Sequence, residues 1–113
     1  MSLKVKNMVS PTTGKPVANQ FVIWGDNKAV FQSYESTIAK IDYNSREIRI
    51  GKNWNYSPTT SKYRNAFFSG YFDALNSRKA IEIALEVAKI NGYALVKSNN
   101  TDIHFKVYFD YEI

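Results

Sequence analysis

Cations, aromatic rings and hydroxyl side chains lie close together between Trp54 and Arg64. Ser57 followed by Pro58 is typical of the N-cap and the first residue of an α-helix. A helix start presents unpaired backbone N–H groups and the positive end of the helix dipole, so it can hold an anion. Lys62 lies one turn further along the predicted helix. The segment therefore predicts a phosphate-contacting corner, although the same residues also fit a well-capped helix with a packed aromatic entry.

A nucleic-acid ligand needs cations for its phosphates and aromatic rings for its bases. Arg49 alternates with Ile48 and Ile50 on a predicted strand, so it is expected to project from the outer face of a sheet. The alternative for the aromatic residues is that they pack in the core or at the corner. The residues predicted to contact nucleic acid are Arg46, Arg49, Lys52, Trp54, Tyr56, Lys62 and Arg64.

The starts of both predicted helices are candidate anion sites. Arg78 and Lys79 fall in the first turn of the second helix, where their positive charge opposes the helix dipole. The alternative is that both side chains extend into water as ordinary surface charges. The predicted anion-binding residues are Ser57, Thr59, Thr60, Arg78 and Lys79.

Catalytic chemistry has little support in the sequence. The chain has no Cys, and its single His, His104, falls on the outward side of a predicted strand. One His without Cys or clustered carboxylates does not make a zinc site, and a hydroxyl without an activating base is not a nucleophile. We therefore expect no enzymatic activity, no catalytic residue, no metal and no cofactor.

Positive charge is concentrated in the first part of this 113-residue chain. The net charge is +5, and residues 1–64 carry ten Lys or Arg against four Asp or Glu. Residues 65–113 carry five against six. Such asymmetry favours an acidic partner, either nucleic acid or an acidic protein surface, although a solvated basic surface without a ligand explains it equally well.

Apolar periodicity predicts an α+β fold in a single domain of residues 1–113. The expected sheet is antiparallel, with a β-meander, two helices packed on one face and a C-terminal β-hairpin. Pro and Gly between residues 10 and 16 predict that residues 1–17 form an extended N-terminal arm. The predicted helices cover about residues 58–73 and 77–90. The last strand is expected to bury Ile103, Phe105, Val107, Phe109 and Tyr111.

Several phrases of the sequence are distinctive, including Val17-Ala-Asn-Gln-Phe21, Ser36-Thr-Ile-Ala-Lys40 and Trp54-Asn-Tyr-Ser57. With these phrases, residues 4–68 resemble a family of short uncharacterised proteins encoded by bacteriophages and mobile elements. The chain departs from the family pattern at Lys52-Asn53 and at Phe68, which makes the corner more basic. The resemblance implies an origin in a phage or mobile element, but it implies no activity.

Two function classes follow from these observations. The first is a non-enzymatic accessory protein that binds nucleic acid through the basic and aromatic corner. The second is a protein-interaction module or inhibitor that acts on a host or phage protein, with a homodimer as one form. We expect a bacterial cytoplasmic location and no membrane association, because no apolar run approaches the ~20 residues of a membrane span. The sequence leaves open the choice between DNA and RNA, the identity of a protein partner and the oligomeric state.

Overall fold

The computed structural model describes residues 3–113, which form a seven-stranded sheet and two α-helices. This confirms the predicted α+β class. The strands are β1 Lys4–Val9, β2 Pro16–Gly25, β3 Lys28–Ser33, β4 Ser36–Asp42, β5 Glu47–Gly51, β6 Ala94–Lys97 and β7 His104–Asp110. Between β5 and β6 lie α1 Pro58–Phe68, a short 3-10 helix Asp73–Leu75 and α2 Arg78–Asn91.

The sheet is mostly antiparallel. Its strand order is β1-β2-β3-β4-β5-β7-β6, and β7 lies between β5 and β6. The β5–β7 pair is parallel, with Ile48 opposite Val107, while the other neighbouring strands in the described residues are antiparallel. A parallel pair needs a long crossover, which here contains both helices and β6. The expectation of a purely antiparallel sheet was therefore wrong at this pair, because local alternation does not specify the direction of distant strands.

An edge strand takes the place of much of the predicted N-terminal arm. Residues Lys4–Val9 pair with β2, and the side-chain amide of Asn7 donates to the carbonyl of Val17 at 2.9 Å. The alternation in Lys4-Val5-Lys6 is a strand signal, although polar residues dominate it. Residues 1 and 2 of the predicted arm lie outside the described residues.

A single hydrophobic cluster contains buried side chains of both helices and of strands β3 to β7. Phe31 on β3 stacks on Phe67 of α1 with ring centroids 5.7 Å apart, and Phe72 meets Phe105 of β7 edge to face. Each fully buried Phe contributes about 1.5–3 kcal/mol of transfer free energy. The most deeply buried apolar members are Phe31, Ile38, Ala39, Ile48, Ile50, Phe68, Phe72, Leu75, Ile81 and Val107.

The first helix is shorter than predicted. It ends at Phe68, and Gly70 then adopts a φ of +90°, a backbone conformation that glycine enters without steric cost. Tyr71, which falls within the predicted range of the first helix, therefore lies outside the helix and is 63% exposed. The second helix agrees with its predicted range: Ser77 caps its start, and Gly92 ends it with a φ of +86°.

The last strand buries fewer residues than its alternation predicted. Phe105 and Val107 lie in the core, whereas Phe109 and Tyr111 are largely exposed and contact each other with ring centroids 6.1 Å apart. Ile103 precedes the strand and is also exposed. Alternation gives the side on which a residue lies, but it does not say how far the covering layer extends.

Neither α-helix formed by residues 3–113 combines the length and the apolarity that a membrane crossing requires.

Candidate interaction surface

The start of α1 is closed by the protein's own hydrogen bonds. The hydroxyl of Ser57 accepts from the backbone N–H of Thr60 at 3.1 Å, as an N-cap residue does. The Thr60 hydroxyl is fully buried and lies 2.9 Å from that of Ser33 on β3. Pro58 has no N–H, while Thr59 is exposed beside it. The predicted cap is therefore present, and the Thr60 side chain next to it is buried against β3.

Arg64 is a core residue and cannot contact a phosphate in this conformation. Its side chain is completely buried, and its guanidinium donates to the carbonyl of Trp54 at 2.6 Å and to the side-chain oxygen of Asn65 at 2.8 Å. The guanidinium also lies 5.2 Å from the Trp54 ring centroid, within cation–π range. Burial, and secondarily the charge of Arg78, lowers the pKa of Arg64 to about 10. The prediction that Arg64 belongs to a surface site was wrong.

The other corner residues divide between packing and exposure. Trp54 is partly buried against the core, so it is not a free stacking platform, while Tyr56 is 72% exposed. Lys62 extends over the neighbouring Tyr63 ring at 5.5 Å, and Lys52 lies over a ring of the C-terminal segment at 5.3 Å. These contacts leave the ammonium groups exposed, but they do not converge on a shared concave site.

The two predicted strand arginines lie apart from the helix start. Arg49 is held between Glu47 at 3.2 Å and Asp110 at 3.4 Å, and its guanidinium lies over the Tyr108 ring. Arg46 is an exposed turn residue with a φ of +57°. Because Arg49 has two carboxylate partners, its charge is already balanced. The structure does not bring the predicted basic residues together around one ligand.

The second predicted anion site is also occupied by internal contacts. Ser77 accepts from the backbone N–H of Ala80 at 3.1 Å. Arg78 forms an ion pair with Glu82, one turn along the helix, at 2.9 Å. Lys79 is exposed. The expected mismatch between Arg78 and the helix dipole is thus offset by a carboxylate on the same helix.

A wide concave surface in the described residues lies elsewhere. An open groove of about 810 Å³ runs between α1 and strands β1 to β3, and we call it the β1–β3 groove. Val22, Ala29 and Phe67 supply apolar surface, and Trp24 is 37% exposed there. Its lining residues are Lys6, Asn7, Met8, Val9, Val22, Trp24, Gly25, Asp26, Asn27, Lys28, Ala29, Ile41, Tyr43, Ala66, Phe67 and Tyr71.

Two lysines of the edge strand stand on the groove side of the sheet. Lys4 and Lys6 are the cross-strand partners of Trp24 and Val22, and directly opposed residues share a face. Both lysines are exposed, and neither has an ion-pair partner within 4 Å among the described residues. Lys28, by contrast, pairs with Asp42 at 3.8 Å. The edge of the groove therefore carries two cations that the rest of the described chain does not neutralise.

Two tyrosines form the far wall of the groove. Tyr43 and Tyr71 also line a neighbouring depression of about 320 Å³ that contains Arg46, so the two hollows share a wall. Burial raises the pKa of Tyr43, and the nearby Tyr71 adds to the rise. The Tyr43 hydroxyl is therefore a neutral donor and acceptor at physiological pH.

Sequence reasoning missed this groove because it assigned residues 1–17 to an arm. The spacing of Lys4 and Lys6 places both side chains on one face of a strand, which is a signal that a strand assignment would have used. Trp24 was not among the predicted site residues. No local sequence motif links these residues to Phe67, which lies more than forty positions later.

Fold and surface together define a small α+β protein with a groove beside its edge strand. The chain belongs to a family of unknown function (DUF8033), whose model matches residues 3–84. The match covers β1 to β5, α1 and the first half of α2, and so includes every residue that lines the groove. No curated protein and no solved structure matches the chain.

Proposed function

We propose that this chain is a non-enzymatic accessory protein of a phage or mobile element, and that it acts by binding a protein partner in the β1–β3 groove. The observation that carries the proposal is the groove itself, an open and mainly apolar hollow with Trp24 exposed in it. Concave apolar surfaces with a few polar groups are the usual form of binding sites. The phage or mobile-element origin rests on the resemblance of residues 4–68.

A protein ligand fits the groove better than a nucleic acid does. Nucleic-acid affinity comes mainly from free cations that meet phosphates. At the predicted corner, Arg64 is buried and Arg49 is paired with two carboxylates. A groove built largely from aliphatic and aromatic side chains instead favours apolar groups of a partner, as the centres of protein interfaces do.

Single-stranded nucleic acid is the second candidate. The observation in its favour is that Lys4 and Lys6 lie on the same face as Trp24, with exposed rings of Tyr43 and Tyr71 across the groove. Rings and lysines of this kind can stack bases and contact phosphates. This candidate moves the nucleic-acid hypothesis away from the Trp54–Arg64 corner.

Site-specific photo-crosslinking tests the proposal. A photoreactive amino acid replaces exposed Ala66 in the groove, or exposed Lys40 on β4 as a control, and the protein is expressed with the products of the genes that flank its own. We expect a protease-sensitive crosslink to one of those products from position 66, none from position 40, and loss of the crosslink in Trp24→Ala. A nuclease-sensitive product at position 66 would support the second candidate, and equal products at both positions would refute binding in the groove. Flanking genes unrelated to phages or mobile elements would refute the proposed origin.

A further inference from the structure

The β1–β3 groove lies where the helical layer of the fold ends. α1 contacts β2 and β3, whereas α2 contacts β6 and β7 near the opposite edge of the sheet. β1 pairs with β2 at the edge of the sheet, one position beyond the strands that α1 contacts. The groove-side face of β1 is therefore the next position along the helical layer, and neither described helix packs extensively over it.

The shape of the groove agrees with this missing position. A helix laid there would pack against Met8 and Val22 on the sheet, against Phe67 of α1, and over the exposed Trp24 ring. Aromatic and methionine side chains are enriched in surfaces that receive a partner's apolar face. An amphipathic helix presents such a face as residues spaced three and four apart.

The charge at the edge of the groove favours one kind of amphipathic helix. Lys4 and Lys6 border the groove without an acidic partner in the described part of the chain. The carboxylate among the described lining residues is Asp26, which belongs to the turn after β2 at one end of the groove. A helix with Glu or Asp beside its apolar face would pair with the two lysines, whereas a basic helix would be repelled.

From these observations we propose that the occupant of the β1–β3 groove is an acidic amphipathic helix of a partner protein. The inference rests on the proposed function, because it names the class of partner that the groove takes. The helix completes the layer beside α1: its apolar stripe covers Trp24 and Val22, and its carboxylates lie against Lys4 and Lys6. Binding is therefore expected to weaken with added salt, because the paired charges lie at the solvent-exposed edge.

A designed peptide tests the inference without knowledge of the natural partner. The probe is a fluorescein-labelled 18-residue peptide. Its Leu residues are spaced three and four positions apart, so that they share one face of a helix, and Glu occupies most other positions. Three comparison ligands are a scrambled peptide of identical composition, the same helix with Lys in place of Glu, and a labelled single-stranded DNA oligonucleotide. Fluorescence anisotropy gives the affinity of each ligand for the whole protein.

Two groove variants and one control variant assign the binding site. Lys4→Glu combined with Lys6→Glu is expected to weaken the affinity for the acidic helix by about tenfold, because two surface charge pairs are reversed. Lys40→Glu combined with Lys97→Glu makes the same change in net charge at exposed sites away from the groove, and it is expected to change the affinity by less than about threefold. Ala66→Trp fills the groove from an exposed helical position, so folding is preserved while binding is lost.

The outcomes separate this inference from the proposed function. Tight binding of the acidic helix alone, with an affinity about tenfold weaker in the Lys4→Glu, Lys6→Glu variant and loss of binding in Ala66→Trp, supports it. Equal binding of the scrambled peptide or preference for the basic helix overturns the inference but leaves a protein-binding groove. DNA binding that Ala66→Trp abolishes replaces it with the nucleic-acid candidate. Absence of binding by the acidic helix at millimolar concentration overturns the inference. Peptide binding that Ala66→Trp leaves unchanged would show that the peptide does not bind in the β1–β3 groove.

Discussion

A hydrogen bond between Ser33 and Thr60 fixes the start of α1 to β3, and its removal has a calculable cost. The two hydroxyl oxygens are 2.9 Å apart, and the residues are 2% and 0% exposed. Ser33→Ala removes one partner but leaves Thr60 its second contact, with the hydroxyl of Ser57 at 3.1 Å. Thr60→Val keeps the side-chain shape but leaves the buried Ser33 hydroxyl without this partner.

Expected free energies follow from these contacts. A neutral intramolecular hydrogen bond contributes about 1 kcal/mol net, and an orphaned buried hydroxyl costs about 1–3 kcal/mol. We therefore expect Ser33→Ala to lower the free energy of unfolding by about 1 kcal/mol and Thr60→Val to lower it by about 2 kcal/mol. The double variant contains neither hydroxyl of the pair, so no hydroxyl is left without its partner. Its loss in free energy of unfolding is therefore expected to be about 1 kcal/mol smaller than the sum of the two single losses.

Urea denaturation of the four proteins in this cycle measures the coupling. Thr59→Val is the control, because Thr59 is an exposed threonine on the same helical turn, and its expected effect is within about 0.5 kcal/mol. Additivity of the Ser33 and Thr60 changes within about 0.3 kcal/mol would refute the internal bond. Thr60 would then not be tied to β3, while its backbone N–H would still be capped by Ser57.

Three further predictions test other parts of the structure. Arg64→Ala is expected to lower the free energy of unfolding by about 3 kcal/mol, because it leaves a cavity and unpaired acceptors. Chemical denaturation compares this variant with Lys62→Ala, an exposed control that is expected to change the free energy by less than about 0.5 kcal/mol. Gly51→Ala places a Cβ 2.8 Å from the carbonyl oxygen of Thr37 and should cost about 1–3 kcal/mol, and an unchanged thermal midpoint would contradict this close approach. The pKa of Asp42 is lowered chiefly by a hydrogen bond from a turn amide, so its stabilising contribution is present above its ordinary pKa of 3.8 and is lost as the pH falls through the lower folded value. Asp42→Asn should therefore flatten the acid limb of the stability profile, and an unaltered limb would refute this contribution.

Local signals in the sequence predicted most individual elements. The Ser57 cap lies where capping chemistry placed it, and α2 begins and ends within one residue of its predicted range. The parallel β5–β7 pair was not predicted, because strand direction here depends on a crossover of more than fifty residues. The alternation of polar and apolar residues indicates which face of a strand is buried. It does not indicate which distant strand pairs with it or in which direction that strand runs.

The candidate site was less predictable than the fold. A cation near a helix start is usually solvated, yet Arg64 lies one turn after Thr60 on the same face of α1, and that face is buried. The β1–β3 groove depends on contacts between β1, β2 and α1, which no single segment encodes. The proximity of Lys6 to Phe67 is therefore a property of the tertiary fold.

The two tryptophans report directly on whether a ligand binds in the β1–β3 groove. Trp24 lies in the β1–β3 groove, and Trp54 lies at the corner beside Arg64, so their two indole N–H signals in a ¹⁵N-resolved NMR spectrum report on the two surfaces separately. On titration with the acidic amphipathic peptide, we predict that the Trp24 indole signal shifts progressively while that of Trp54 stays in place. Movement of the Trp54 signal with an unmoved Trp24 signal would contradict binding in the β1–β3 groove.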